Sequence, residues 1–346
     1  MLDDRKVKVL YAIINSYIMS AEPIGSRTIS KQYDLGVSSA TIRNEMSDLE
    51  EQGYLNKPHS SAGRIPSDKA YRLYVDEILK IKKPKIDLIK KDKIKQILSS
   101  ESREIEQLIQ NSAKVLSAIT SYTALAISPQ LRESKVKHIQ LIPIDSHQIL
   151  MVLVSNSGVV KNSIFRLDKE VPENQIMIMS NFLNDKLKGR SINDISGQIT
   201  TGIFKEIHEF KNILDSIIPI INQSMEDIDN IDLYSDGVTK ILNFPEYKDL
   251  DKAKSFISFI EDKDLVVDLL LNNPIAENIE ITIGNENIYA PIKDCSLITA
   301  TYRLGDKTIG KIGLIGPTRM DYLKLVNILQ LFSVNITEII DMLTLQ

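Results

Sequence analysis

A single cysteine, Cys295, stands in a chain of 346 residues. That excludes an intramolecular disulfide framework and a cysteine-rich zinc site. Histidine is almost as scarce. His59, His138, His147 and His208 are scattered without metal-ligand spacing, and each reads as a surface or turn residue. No metal and no cofactor is expected. Long apolar runs are also missing: Ile149–Val154 is six residues, where a membrane helix needs about 20. The opening Met-Leu-Asp-Asp-Arg-Lys is acidic and then basic, with no apolar segment behind it, so no signal peptide is expected. What is present is ordinary globular composition, 43% hydrophobic and 25% charged, which argues against wholesale disorder. The expectation is a soluble, cytoplasmic protein of two or three domains, away from any membrane.

The net charge of −4 is unevenly spread. Residues 1–95 carry 18 Lys/Arg and 13 Asp/Glu, and residues 96–346 carry 24 and 33. A small basic front on a larger acidic back is the pattern of a DNA-binding head on a separate body. Charge blocks are also what plain solvated faces look like, so the motifs must carry more weight.

Val7, Leu10, Ile14, Tyr17 and Ile18 are spaced as one buried face of a first helix capped by Asp3 or Asp4. A short second helix follows Pro23-Ile24-Gly25-Ser26, and Gly36 sits in a tight turn. Ser38 or Ser39 then caps a third helix ending near Gln52, with Gly53 as its stop. Residues 57–64 read as a hairpin loop, and Ser67-Asp68 starts a fourth helix. After a lysine-rich linker and a long amphipathic helix, strands are expected at 139–144, 148–155 and 159–165. Helical stretches follow at 173–188, 202–227 and 248–271. A second strand set is expected at 279–284, 287–292, 296–304 and 309–316, before a final helix from 319 to 343. Strands on both sides of a helical middle suggest one α+β domain interrupted by an insertion.

A short helix, a glycine turn and a serine-capped helix have helix-turn-helix spacing. In the third helix Ile42, Met46 and Leu49 form the buried arc, while Ala40, Thr41, Arg43, Asn44 and Ser47 occupy the opposite one. Asp48, Glu50 and Glu51 gather at the far end. A recognition helix enters the major groove by its N-terminal residues, so acids belong at the other end. Arg43 has the chemistry to read guanine edges and Asn44 adenine edges. Ser38 and Ser39, beside free N–H groups at the helix start, suit a phosphate. The hairpin places Lys57, His59, Ser60, Ser61 and Arg64 around Gly63, with no acid between Glu51 and Asp68. A wing gripping backbone or minor groove needs that composition. Set against this, Arg43 and Asn44 could be solvated residues of a plain helical domain.

The stretches Val37–Glu50 and Gly53–Asp76 closely resemble the heat-inducible transcription repressor HrcA family. Leu242–Glu246, Cys295–Ala300 and Ile312–Tyr322 resemble the same family's C-terminal signatures, so the likeness runs through the whole chain in order. Ala70 departs from a more usual glycine at a helical site that tolerates it. The resemblance implies a winged-helix head, a GAF-like α+β domain, and a largely helical dimerisation domain inserted into it. On that basis the expected boundaries are 1–83 for the head, 84–171 and 247–346 for the two parts of the GAF-like domain, and 172–246 for the insertion. The resemblance further implies a homodimer on an inverted-repeat operator called CIRCE, repression of chaperone operons, and maintenance by the chaperonin GroEL.

No catalytic constellation emerges. Gly305-Asp306-Lys307-Thr308-Ile309-Gly310-Lys311 starts like a P-loop, but Ile312 stands where the magnesium-binding hydroxyl belongs, and the context is strand-like. The alternative is a ligand-gated regulator sensing a small molecule through its GAF-like domain.

Overall fold

The computed structural model describes residues 2–59, 62–81, 88–100, 104–129, 134–156, 159–167, 170–191, 194–195, 211–229, 231–271 and 279–344. The head begins with α1 (Asp4–Ser20), capped by the Asp3 carboxylate, which accepts the Lys6 N–H at 2.8 Å. α2 (Ser26–Gln32) and α3 (Ser39–Glu51) follow, then β1 (Leu55–Asn56) and β2 (Ile65–Pro66), paired antiparallel, and α4 (Asp68–Ile81). The hairpin base is tied to the α1–α2 connection. Ile24 and Arg64 exchange both N–H···O bonds at 2.9 Å, and a Cβ on Gly63 would lie 2.5–2.7 Å from the Ile24 backbone. Only glycine permits that approach.

α5 (Leu88–Ser100) and α6 (Ile105–Thr120) lead into β3 (Thr123–Ile127). The chain then leaves to build a separate unit. Its strands β4 (Val136–Pro143), β5 (Gln148–Ser155) and β6 (Val160–Arg166) form a three-stranded antiparallel sheet, covered on one side by α7 (Glu173–Leu187) and α8 (Lys211–Asp229). It returns as β7 (Leu233–Asp236), which pairs with β3, and Ser128 N–H reaches Asp232 O at 2.7 Å where the two crossings meet.

The rest of the body is α9 (Leu250–Glu261), α10 (Lys263–Leu271), β8 (Ile279–Ile283), β9 (Cys295–Leu304), β10 (Lys307–Pro317) and α11 (Tyr322–Thr344). Its sheet is antiparallel in the order β7-β3-β10-β9-β8. One face packs under α5, α6 and α11, the other under α9 and α10. The architecture is therefore mixed α+β, with several sheets. α11 has the length and apolar composition to cross a membrane. Here it supplies Leu325, Val326, Leu329, Phe332 and Ile336 to the core.

The expected internal boundaries need correction. Strands β4–β6 do not belong with residues 84–171 of the body, because they share neither its sheet nor its core. Conversely, β7 and Ile241, at the end of the expected 172–246 insertion, are built into the body. Among the described residues the separate unit takes in β4–β6, α7 and α8, between the paired ends Ile127 and Leu233. Residues 287–292 form no strand: 287–289 are a bend and Ala290–Ile292 a short 3-10 turn, and the Asn287 side chain holds the backbone of Gly284, Ile292 and Cys295. Boundary 83/84 and the expected helix start at 202 lie outside the described residues.

Candidate nucleic-acid interface

α3 is anchored by Ile42, Met46 and Leu49, all buried against α1 and α2. That leaves Ala40, Arg43, Asn44 and Ser47 exposed on the opposite side. Ser38 is the cap: its Oγ accepts the Thr41 N–H at 3.2 Å and lies 3.0 Å from Thr41 Oγ1. The Ser38 and Thr41 hydroxyls therefore satisfy each other and the helix start. The N–H groups of Ser39 and Ala40 keep no partner among the described residues, as expected for a first helical turn. They remain available to an anion.

Three of the four acids of α3, Glu45, Asp48 and Glu50, are paired by cations from outside the helix. Lys6 Nζ on α1 lies 2.9 Å from Glu45 and 3.1 Å from Asp48, and also 3.4 Å from Asp3. Its hydrogen bonds to Glu45, then to Asp48, hold the ammonium well above its ordinary pKa. Arg64 departs from the expected solvent-facing cation. Its guanidinium is half-buried and pairs with Glu50 at 2.6 Å, because the Ile24–Arg64 backbone tie places it against α3. Lys57 and His59 are exposed, and Ser60 lies outside the described residues. Beneath the hairpin, Ser67 Oγ donates to Gly53 O at 2.7 Å and Lys69 Nζ to Gln52 O at 2.9 Å. Among the described residues Arg43 and Lys57 carry no ion pair. The same holds for Arg27 and Lys31 on the exposed side of α2, which the sequence reading did not single out. Their spacing of four along an amphipathic helix was the available signal.

The basic front has a narrower origin than the sequence totals imply. Residues 1–81 hold 11 Lys/Arg and 11 Asp/Glu, whereas residues 82–95 hold 7 lysines and 2 aspartates. Within that lysine-rich stretch, Lys91 and Lys95 both pair with Glu338 of α11. The head's own positive character is therefore made by geometry: acids clamped on one side, cations left on the other.

The remaining chemistry is structural. Gly305 and Asp306 form the β9–β10 turn, and Lys311 lies in β10 paired with Glu280 at 2.9 Å. The Cys295 thiol is buried 2.8 Å from Tyr247 Oη, and burial pushes it up to about 12. Among the described residues, no cluster of His, Cys, Asp or Glu could hold a metal ion.

Residues 106–326 match a family profile described as HrcA protein C terminal domain. A curated protein from Alkaliphilus metalliredigens (strain QYMF), named heat-inducible transcription repressor HrcA, is 46% identical over 321 residues, covering 93% of each chain. One of the same name from Ruminiclostridium cellulolyticum is 45% identical over 329 residues, covering 94% of each. A crystal structure described as a hypothetical protein superposes over 99% of this chain and 100% of its own, with a TM-score of 0.72 at 23% identity, which is a likeness of fold. With its profile, its relatives and its quoted motifs in agreement along nearly the whole length, the chain belongs to the HrcA family of heat-inducible transcription repressors.

Proposed function

We propose that this chain is a cytoplasmic transcriptional repressor of heat-shock operons, a regulator and not an enzyme. It binds an inverted-repeat CIRCE operator as a homodimer and is kept active by the GroEL chaperonin. In this reading α1–α3 with the β1–β2 hairpin form a winged helix-turn-helix, and the body is GAF-like. The observation that carries it is the exposed arc Arg43, Asn44 and Ser47, free of the acids that Lys6 and Arg64 hold back.

The N-terminal half of α3 enters the major groove, where Arg43 and Asn44 meet base edges. Thr41 and Ser47 border that contact, and Ser38 and Ser39 set the helix start against a phosphate. Lys57, His59 and Ser60 grip the DNA backbone or minor groove, and Arg64 acts through Glu50 to hold the hairpin in place. Dimerisation is supported by the uncovered face of the insertion's sheet. There Ile142, Leu150 and Ile164 stand in one cross-strand row, with Ile164 66% exposed.

Fluorescence anisotropy with an operator duplex and a scrambled duplex, each across a salt series, tests the reading. Tight, salt-sensitive binding to the operator alone is expected. Arg43→Ala should lose about 1–3 kcal/mol of discrimination, and Lys57→Ala should weaken both duplexes alike with a shallower salt slope. Equal affinity of the wild type for both duplexes, with chaperonin present, would refute it. The ligand-gated alternative has less behind it: in the body a cleft of about 470 Å3 lies between α6 and β7. A cleft of about 620 Å3 lies between β4 and α7 of the insertion, remote from the body's sheet.

A further inference from the structure

Two polar contacts lock the head onto the body. At the first, Arg72 of α4 donates from Nε to Glu286 Oε1 at 2.7 Å and from Nη2 to Ile281 O at 2.7 Å, and also pairs with Glu286 Oε2. One turn earlier, Asp68 Oδ2 accepts the Asn285 backbone N–H at 3.0 Å and its side-chain amide at 2.9 Å. The receiving turn is built in advance. Asn287 is almost fully buried and donates to the carbonyls of Gly284, Ile292 and Cys295. Glu286 Oε2 accepts the Ile283 N–H at 2.8 Å, which aims its carboxylate at Arg72. Gly284 has φ +53, and a Cβ there would collide with the Asp68 carboxylate, so the close approach of head to body requires glycine.

At the second contact, Arg319 donates to Ile18 O of α1 at 3.2 Å, pairs with Glu246, and lies 5.6 Å over the Phe244 ring. Tyr122 stacks on the same Phe244 ring, with centroids 5.2 Å apart. Between the two contacts Tyr71 packs on Tyr322 at 5.9 Å. α1 and α4 are thus each bound to the body, and α3 is bound to α1 through Lys6. A head carried on a loose tether would need none of this.

We propose that Arg72, with Asp68, Glu286 and Asn285, and Arg319, with Glu246, are positioning residues that set half-site spacing specificity. By fixing each head on its body, they fix the distance and phase between the two copies of α3 in the dimer. The inference rests on the dimer-on-operator reading above. A rigid pair of heads fits one separation. Two inserted base pairs shift a half-site by about 7 Å and about a fifth of a helical turn, which locked heads cannot follow.

The test compares full-length wild type with Arg72→Gln/Arg319→Gln on three duplexes: the natural operator, an operator with two base pairs inserted between half-sites, and a single half-site. Wild type should lose about tenfold or more on the lengthened operator, since misplacing one head forfeits base contacts. The double variant should lose less than about threefold while binding the single half-site as wild type does. Glu286→Gln removes the charge partner of Arg72 and so weakens the first contact alone; it serves if the double variant melts early, and its spacing penalty should fall between the two. A variant that keeps the full wild-type penalty overturns the inference, as does one that binds the natural operator more tightly with spacing discrimination intact. A wild type that fails to prefer the operator over scrambled DNA would remove the underlying reading instead, so the two failures are distinguishable.

Discussion

The head, joined to the body by one passage of the chain, shares the body's hydrophobic core, whereas the insertion, stitched into the body's sheet at both ends, keeps a core of its own. Ile42, Leu49 and Tyr71 of the head belong to the same buried cluster as Ile298 and Phe332 of the body. Leu141, Met151 and Leu183 of the insertion pack only with one another and their neighbours. Chain continuity is therefore a poor guide to what unfolds together. Cooperative units follow contiguous buried surface, and here that surface crosses the head–body boundary and stops at the insertion.

The largest expected effect contrasts two excisions. Replacing residues 128–232 by a short loop should leave head and body folded, because Ile127 and Leu233 are already paired neighbours. Removing residues 172–246 should prevent folding, since it deletes β7 and Ile241 and leaves β4–β6 without their covering helices. Circular dichroism melts of the two proteins decide the matter; equal stability would break the comparison.

Smaller effects come from single truncations. Ile42→Ala in the head and Leu183→Ala in the insertion each empty a fully buried site, at a cost of about 2–5 kcal/mol. By scanning calorimetry, Ile42→Ala should lower the transition shared by head and body, and Leu183→Ala a separate one. A head transition moving independently of the body would show that the shared core is not cooperative.

The smallest effect sharpens the body's side of the comparison. Hydrogen bonds from Lys91 and then Lys95 hold the Glu338 carboxyl below its ordinary value of 4.5. A depressed carboxylate adds stability above its unfolded pKa and loses it as pH falls through the folded value. Glu338→Gln should therefore flatten the acid side of the melting-temperature profile below about pH 4.5. An unchanged acid limb would mean that the Glu338 ion pairs add nothing to the hold of α5 on α11, which would rest on apolar contacts and the Asn335 to Lys91 O hydrogen bond.

Much of this was legible in the residues. The Ser38 cap, the buried arc of Ile42, Met46 and Leu49, and the strands β5, β8, β9 and β10 all follow from local periodicity and turn chemistry. The insertion's limits were not. β3, Thr-Ala-Leu-Ala-Ile, is buried on both faces and shows no alternation, while β7 is a four-residue edge strand. Strands of that kind carry little local signal, and these two mark where the chain leaves and returns. At the candidate interface the exposed side of α3 could be read from spacing. The pairing of Arg64 with Glu50 could not, because it depends on an antiparallel bridge to Ile24, forty residues away in the chain.

Strand order in the body also sets a timetable for synthesis. β3 pairs with β10 through contacts such as Ala126 with Ile312. At about 5–20 residues per second, β3 waits roughly 10–40 s on the ribosome for that partner. α11, which completes the core beneath the head, is made later still. Until then the side of α6 that packs against α11 has nothing to cover it. The surface of α3 is translated long before α11 and acquires its fixed orientation only once α11 is made. Each new molecule must pass through an interval with its apolar interior open to whatever holds unfinished chains.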